Sequence, residues 1–277
     1  METVNFQNQF ELSGKVAVIT GGAGVLCSTF CRALASADVK VAVLDVNAEA
    51  AKTLASDIRS NRGNVIDITC NVLDRASLEQ AAQVVLREFG QVDILINGAG
   101  GNKAEATSDA EQTFFDLPSD AIRSVLELNL MSTIQACQVF GKWMAKQRSG
   151  IILNISSMNS FRPLTRIAAY SAAKAGVSNF TQWLAVHMAQ EYSPEIRVNA
   201  IAPGFFLTSQ NRYLLTDEQT GELTTRGRSI ISHTPMQRFG LPDDLIGTLF
   251  WLLSPASAFV TGIVVPVDGG FSAFSGV

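Results

Sequence analysis

The chain has 277 residues, of which 47% are hydrophobic and 17% charged, so it carries enough apolar side chains to bury a large core. Its net charge of −4 and pI near 5.3 argue against nucleic acid or an anionic membrane surface as a partner. No apolar run reaches the roughly 20 residues that span a bilayer, and residues 1–10 lack the basic and apolar regions of a signal peptide. The four cysteines form no C-x-x-C pair, which favours reduced thiols in a cytoplasmic protein. Two histidines are too few for a histidine-rich metal site and give poor support to a Ser-His-Asp hydrolase.

Short β-branched runs alternate with longer helical patterns along the chain. Most of the runs are apolar throughout, as expected for strands buried on both faces, so we expect one doubly wound, Rossmann-type α/β domain over residues 1–277. It would have seven parallel strands, helices on both faces of the sheet, and ligands at the carboxyl ends of the strands. Residues 11–100 would form mainly the dinucleotide-binding half and 101–277 the catalytic half, with a lid at about 205–240. The predicted strands are Val16–Thr20, Val39–Leu44, Val65–Thr69, Val92–Ile96, Ile151–Ile155, Arg197–Ile201 and Ile263–Val267, and the predicted helices span 24–37, 47–61, 74–89, 118–147, 166–191 and 242–253.

A glycine-rich turn follows the first strand, in the sequence Thr20-Gly-Gly-Ala-Gly-Val-Leu-Cys27. A turn that leads straight into a helix brings backbone N–H groups and the positive helix end to one point, where a pyrophosphate binds. Glycine is needed there because a Cβ would hold the phosphate away from the backbone. The alternative is a tight strand-to-helix turn without a ligand.

The second strand ends at Asp45, about 20 residues past the glycines, where an acidic side chain binds the adenosine ribose hydroxyls. A carboxylate repels a 2′-phosphate and no arginine stands beside it, so NAD is favoured over NADP. Asp45 is alternatively the N-cap of the next helix. Asn71, after the third strand, would bind adenine or cap a turn. The fourth strand runs into Asn97–Asn102, whose three glycines would let a ring or a chain segment lie flat against the backbone.

Tyr170 and Lys174 are four positions apart in alanine-rich sequence and would share a helix face. A free phenol has a pKa of about 10, and a nearby ammonium lowers it, so Tyr170 would become a usable acid or base. Ser157 would aim a second hydroxyl at the same substrate oxygen. Taken alone, Tyr-x-x-x-Lys also occurs by chance.

Asn129 lies between leucines in a predicted helix, where it would satisfy a buried polar group or kink the helix to hold a water.

Together these motifs resemble the short-chain dehydrogenase/reductase family from about Leu12 to the C-terminus. The matches are Thr20-Gly21 with its turn, Asn97-Gly-Ala-Gly100, Asn129, Ser157 with Tyr170-x-x-x-Lys174, Pro203-Gly204-x-x-x-Thr208 and Asp268-Gly-Gly270. The resemblance implies that Tyr170 is the general acid/base, that Ser157 steadies the substrate oxygen, and that Lys174 binds the nicotinamide ribose and lowers the Tyr170 pKa. It further implies a relay water at Asn129 and a carboxamide contact at Thr208. The expected cofactor contacts are Gly21, Gly22, Gly24, Val25, Leu26, Asp45, Asn71, Val72, Asn97, Gly98, Ala99, Tyr170, Lys174, Pro203, Gly204, Phe206 and Thr208.

Two positions depart from the family pattern Thr-Gly-x-x-x-Gly-x-Gly. The second glycine comes one place early, at Gly24, and Cys27 replaces the third. We expect the helix to move slightly away from the sheet to admit the thiol, at some cost in cofactor affinity. Asn71 stands where an aspartate is usual. Within the family, the segments 97–102, 157–166 and 270–277 look most like the D-mannonate oxidoreductase (fructuronate reductase) branch.

The loops after strands four, five and six would wall the substrate pocket with polar and cationic side chains. Arginine binds carboxylates and amides pair with sugar hydroxyls, so we hypothesise an acidic sugar such as D-mannonate, oxidised at C5 to fructuronate, or the reverse reduction. One alternative function is another short-chain carbonyl reductase, acting on gluconate at C5 or on a small ketone. A second is a catalytically silent NAD-binding protein. Each arginine is alternatively a solvated surface charge. The family usually forms homodimers or homotetramers through the helices that hold Asn129 and Tyr170. The candidate substrate contacts are Asn102, Ser157, Asn159, Arg162, Arg166, Gln210 and Arg212.

Overall fold

The computed structural model describes residues 7–207, 212–217 and 220–276, and it confirms the predicted doubly wound architecture. Seven parallel strands form one sheet in the order β3-β2-β1-β4-β5-β6-β7. The strands are β1 Val16–Thr20, β2 Lys40–Asp45, β3 Val65–Thr69, β4 Ile94–Asn97, β5 Gly150–Ile155, β6 Ile196–Pro203 and β7 Val264–Val267. The helices are α1 Val25–Ser36, α2 Ala48–Ser60, α3 Arg75–Phe89, α4 Ser119–Leu126, α5 Ser132–Gln147, α6 Ala168–Glu191, α7 Arg212–Leu215, α8 Thr225–Ser232 and α9 Ile246–Leu253.

The apolar character of the strands follows from their burial on both faces of the sheet. Every residue of β1, β4 and β6 is buried. One hydrophobic core includes Phe30, Leu54 and Leu249 from α1, α2 and α9, and a second on the other face includes Leu78, Phe140 and Leu184 from α3, α5 and α6. Apolar side chains on both faces therefore hold the helices against the sheet.

The sheet order reverses between β1 and β4, which are neighbours in space. The turns that follow these two strands meet at the carboxyl edge. Gly21 has a φ of +61°, and a Cβ on it would lie 2.7 Å from the Cα of Ala99. Because both turns leave this edge on opposite sides of the sheet, a crevice opens between them, where doubly wound folds bind ligands.

The helix predicted over 118–147 is interrupted, and this is the main difference from the expected elements. A π-helical turn, Glu127–Met131, separates α4 from α5 and has Asn129 at its centre. The side chain of Asn129 donates to the Val125 carbonyl at 2.8 Å. The extra residue of a π turn rotates the following side chains, so such turns are frequent at functional sites.

The segment predicted as a lid, 205–240, contains the two short helices α7 and α8 in its described part. Its two ends are joined to each other, because the Leu207 N–H donates to the Gly240 carbonyl at 3.0 Å and the Gly240 N–H donates to the Phe205 carbonyl at 2.9 Å. Thr208 and Gln210 lie outside the described residues. Among the helices that are described, none is long and apolar enough to cross a membrane.

Candidate active site

A cavity of about 950 Å³ lies at the carboxyl edge of the sheet, between the turns after β1 and β4. Three of the four catalytic residues predicted from the sequence and most of the predicted cofactor contacts line this one space, whereas Asn129 is buried and does not line it. The lining includes Gly21, Gly24, Val25, Leu26, Asp45, Asn71, Val72, Gly98, Ala99, Asn102, Ser157, Tyr170, Lys174, Pro203, Gly204 and Phe206. The topology therefore gathers residues that lie between Gly21 and Phe206 in the sequence at the predicted edge.

The start of α1 lies in the cavity wall, where its geometry suits an anion. Gly24 is its N-cap, and Val25 and Leu26 begin the helix in the cavity wall. Glycine offers no side-chain cap, so the first helical N–H groups remain directed toward a ligand. Gly22 differs from the prediction because it does not line the cavity; a Cβ on it would lie 2.9 Å from Val43, so this glycine permits close packing against β2.

Asp45 lies at the end of the cavity that would hold the adenosine ribose. Its Oδ2 accepts from the Ala23 N–H at 3.0 Å, and its Oδ1 accepts from the Asn47 N–H at 2.9 Å. The N-cap of α2 is Asn47, whose side chain accepts from the Ala50 N–H at 3.1 Å. The alternative role of Asp45 as the helix cap is therefore wrong. Both carboxylate oxygens keep lone pairs for ribose hydroxyls, so the residue fits an NAD site.

Cys27 packs against Gly98, and the expected movement of the helix away from the sheet stays a prediction. The thiol is buried, and a Cβ built on Gly98 would overlap its Sγ. The sulfur occupies the space that any larger residue at position 98 would fill. Gly98, in the turn after β4, thus leaves room for the Cys27 side chain, which stands where the family pattern has a glycine. Burial raises the Cys27 pKa to about 12, so the thiol is neutral and unreactive.

The two asparagines expected at the cofactor have different surroundings. Asn71 lines the cavity while its Oδ1 accepts from the Leu73 N–H at 3.0 Å, so its side chain closes a turn. Asn97 is buried and does not line the cavity; its Nδ2 donates to Asn154 Oδ1 at 2.8 Å and to Cys137 Sγ at 3.2 Å. The Asn97 side chain thus links β4 to β5, and a cofactor contact at this residue stays a prediction.

Tyr170, Ser157 and Lys174 meet in the cavity as predicted. The phenol of Tyr170 hydrogen-bonds with the Ser157 hydroxyl. The Lys174 Nζ donates to the Ile155 carbonyl at 2.8 Å and lies 5.6 Å from the centre of the Tyr170 ring. The Tyr170 phenol, the Ser157 hydroxyl and the Lys174 ammonium thus lie together where β5 ends and α6 begins. They supply a proton donor or acceptor, a second hydroxyl and a cation.

The protonation equilibria differ from the expected ones. Burial raises the Tyr170 pKa, and the hydrogen bond from Ser157 is what opposes this rise. The lowering of the Tyr170 pKa that the family resemblance implies stays a prediction for Lys174. Its ammonium is turned toward the Ile155 carbonyl, and burial lowers the Lys174 pKa to about 8, which reduces its charge near neutral pH.

Asn129 joins the π turn to the loop after β4. Its Oδ1 accepts from the Gly101 N–H at 3.1 Å, and its Nδ2 donates to the Gly101 carbonyl at 2.7 Å. Gly100 passes so close that a Cβ on it would lie 2.7 Å from Asn129 Oδ1 and 3.3 Å from Lys174 Nζ. The amide therefore fixes the backbone beside Lys174, while the relay water implied by the family resemblance stays a prediction.

The predicted substrate contacts are only partly brought to the cavity. Asn102 and Ser157 line it, and the Asn102 Nδ2 donates to Thr107 Oγ1 at 2.8 Å. Arg162, Arg166 and Arg212 are exposed outside this lining, and Gln210 is not described. Asn159 is buried, and its Oδ1 has no hydrogen-bond partner among the described residues. The lining residues that sequence reasoning missed are mostly apolar and include Leu128, Ile155, Ile167 and Phe205.

One signal could have found some of these missed residues. Phe205 follows the Pro203-Gly204 motif directly and stands beside the predicted Phe206. Leu128 gave no signal, because it faces the cavity through the π turn and a regular helical pattern does not reveal that turn.

Comparisons with known proteins agree with this geometry. A family model described as short chain dehydrogenase matches residues 15–219. An uncharacterized oxidoreductase of Bacillus subtilis, UxuB, is 50% identical over 96% of this chain and 98% of the relative. A solved structure from Haemophilus influenzae, described provisionally as a D-mannonate oxidoreductase with bound NAD, is 45% identical, covers 99% of this chain and 100% of its own, and has a TM-score of 0.92. A 2-dehydro-3-deoxy-D-gluconate 5-dehydrogenase of Escherichia coli K12 is 32% identical over 95% of this chain and 98% of the relative.

Proposed function

This chain belongs to the short-chain dehydrogenase family, and from that premise we propose that it interconverts a secondary alcohol and a ketone on a sugar acid with NAD as the cofactor. D-Mannonate and D-fructuronate are the substrate pair we favour. The observation that carries the proposal is the meeting of Tyr170, Ser157 and Lys174 in one cavity with Asp45. The sugar-acid description of the NAD-bound Haemophilus structure supports the substrate class.

The residues present fit a dinucleotide. The Gly21 backbone and the start of α1 would hold the pyrophosphate, and Asp45 would hold the adenosine ribose. A carboxylate at that place repels a 2′-phosphate, which supports NAD over NADP. Bound NAD would supply the hydride acceptor for oxidation, or the donor when reduced.

The protein's own part in the reaction is proton transfer and positioning. Tyr170 takes the hydroxyl proton of the substrate in oxidation and returns a proton to the carbonyl oxygen in reduction. Ser157 would hold the same oxygen by a hydrogen bond, and Lys174 would bind the ribose next to the nicotinamide. Acid–base help of this kind contributes about 10²–10⁴-fold to the rate.

A second candidate is a related sugar-acid or small-ketone reductase. The 32% identical gluconate-type 5-dehydrogenase favours it, and among the described lining residues Lys174 is the one with a cationic side chain. In its described part, the cavity wall thus contains no arginine that would select one acid. A silent NAD-binding protein is not supported, because the chain is an oxidoreductase by family and keeps its reacting side chains.

Both candidates are separated by one assay. NADH consumption is followed with D-fructuronate, 5-ketogluconate, 2-dehydro-3-deoxy-5-ketogluconate and a neutral ketose, each repeated with NADPH. We expect the highest kcat/KM with D-fructuronate and NADH. A higher value with another ketone would replace the substrate, and a higher value with NADPH would overturn the role of Asp45.

We also propose that the chain acts in the cytoplasm as a homodimer or homotetramer. Its four cysteines are all unpaired thiols. The outer face of α6 carries Trp183 and Val186, which are 57% and 58% exposed. An apolar face of this kind on a long helix is suited to contact with a second copy.

A further inference from the structure

The end of the chain forms a compact turn beside the active site. We name residues 268–274 the C-terminal turn. The carboxylate of Asp268 closes it, because Oδ1 accepts from the Gly270 N–H at 2.9 Å and Oδ2 accepts from the Ser272 N–H at 2.8 Å. Gly269 and Gly270 have φ of +64° and +89°, which only glycine adopts easily. The turn therefore has one defined shape.

The C-terminal turn packs on the segment that follows α8. The Met236 N–H donates to the Gly269 carbonyl at 3.1 Å. A Cβ on Gly269 would lie 2.9 Å from Thr234 Cγ2, and one on Gly270 would lie 3.1 Å from Pro235. Contacts this close couple the position of the turn to that of the lid segment.

Aromatic rings connect the C-terminal turn to the cavity wall. Phe271 packs edge-on against Phe205 with ring centres 5.1 Å apart, and Phe205 lines the cavity. The ring of His233, at the end of α8, lies 6.5 Å from those of Phe271 and Phe274. Moving the turn would therefore move Phe205.

Arg162 connects the same turn to the loop that carries Ser157. Its Nε donates to the Ser272 carbonyl at 3.1 Å. A short 3₁₀ turn, Met158–Ser160, lies between Ser157 and Arg162, and the Arg162 N–H donates to the Met158 carbonyl at 3.0 Å. The Arg162 side chain thus joins the loop that carries Ser157 to the C-terminal turn.

We propose that Arg162 is a positioning residue: by holding the C-terminal turn, it fixes Phe205 relative to Ser157 and so sets the width of the substrate site. This rests on the proposed reduction of a ketone in this cavity. It assigns Arg162 a role other than the carboxylate ligand expected from the sequence. Its effect on turnover is independent of the substrate's charge.

Two substitutions separate the two roles of Arg162. In Arg162→Gln the amide nitrogen stands where Nε stood, so the bond to Ser272 is kept and the charge is lost. In Arg162→Lys the charge is kept and that nitrogen is lost. We expect Gln to keep KM within about twofold, and Lys and Ala to raise it up to about tenfold, the net value of one ordinary hydrogen bond. The rise should be equal for D-fructuronate and a neutral ketone, with NADH affinity unchanged.

The opposite pattern would overturn the proposal. If Lys keeps the KM for D-fructuronate while Gln raises it, and the neutral ketone shows no change, Arg162 binds the substrate carboxylate. Phe271→Ala is the second variant; positioning predicts that its effect and that of Arg162→Ala do not add. Arg87→Gln, an exposed arginine on α3, is the control.

Hydrogen exchange tests the same proposal without any substrate. Arg162→Ala should speed exchange at the N–H groups of Met236, Gly270 and Ser272, and Arg162→Gln should not. Unchanged exchange in Arg162→Ala would refute the proposal whatever the substrate is. Faster exchange in a protein that turns over no sugar acid would instead leave the positioning role intact and refute the proposed function.

Discussion

At the reaction centre, the phenol of Tyr170 is held neutral by its burial. Its pKa is raised, and the hydrogen bond from Ser157 is the contact that lowers it. Oxidation needs the phenolate as a base, so the kcat/KM for oxidation should rise with pH. Reduction needs the neutral phenol as an acid, so the kcat/KM for reduction should fall with pH. In the proposed mechanism, the Ser157 hydroxyl would therefore affect both the position of the substrate oxygen and the pH range of the reaction.

Ser157→Ala should move the pH profile of oxidation to higher pH. Removing the hydroxyl removes the interaction that lowers the Tyr170 pKa, so less phenolate is present at any given pH. The profile of kcat/KM from pH 7 to 10 measures this, with Ser157→Thr as the control that keeps a hydroxyl. A profile that moves to lower pH, or loses rate without moving, would contradict the assigned role.

Gly98→Ala should weaken NADH binding and destabilise the fold, because the new Cβ would overlap the Cys27 sulfur. Overpacking of a core typically costs about 1–3 kcal/mol in the free energy of unfolding. Adding Cys27→Gly should restore most of the NADH affinity and most of the free energy of unfolding, since it removes the overlapping sulfur atom. The measurement is a double-mutant cycle of urea unfolding and NADH titration. Additive effects of the two substitutions would show that these residues do not share the space.

At the scale of elements, the π turn between α4 and α5 supports the loop after β4. Asn129→Ala would leave the part-buried N–H and carbonyl of Gly101 without their side-chain partner. Each such loss costs about 1–3 kcal/mol, so we expect lower stability together with weaker NADH binding. Asn61→Ala, at an exposed helix end where the side chain donates to the Asp57 carbonyl, should cost much less. Equal losses in urea unfolding for the two variants would contradict this support role.

The strands and the first helices could be predicted because their signals are local. The apolar runs, the glycine turn after β1 and Asp45 need only neighbouring residues to be read. Contacts between distant positions could not be predicted in the same way. Asn129 bonds to Gly101, 28 positions away, and Arg162 bonds to Ser272, 110 positions away. Both side chains looked available for a water or a substrate until the fold supplied their backbone partners.

Most of the candidate site followed from the sequence for the same reason. Parallel strands bring their carboxyl ends together, so Gly21, Asp45, Ser157 and Lys174 were expected to meet, and they do. The direction of the Tyr170 pKa was not predictable, because it depends on burial and on where the Lys174 ammonium points. The sequence predicts which side chains meet at the carboxyl edge of the sheet. The burial and hydrogen bonds that determine their protonation become visible only in the folded structure.

At the scale of the whole molecule, the outer face of α6 is the basis for expecting association. Trp183 stacks between Phe180 and His187, with ring centres 6.2 and 4.7 Å away, and remains 57% exposed. Trp183→Glu together with Val186→Glu should therefore convert the assembly to monomers in sedimentation or light scattering. Lys52→Glu on the exposed face of α2 is the matched control. A monomeric wild-type chain would refute the proposed assembly.

The most direct test of the proposed chemistry compares wild-type protein and Tyr170→Phe in one experiment. NADH consumption with D-fructuronate gives turnover, and NADH fluorescence titration gives cofactor affinity on the same preparations. The phenylalanine keeps the ring and removes the reacting oxygen, so we predict a loss of about 10²–10⁴-fold or more in kcat with nearly unchanged NADH affinity. Turnover retained by Tyr170→Phe would contradict the assignment of Tyr170 as the acid/base and, with it, the proposed mechanism.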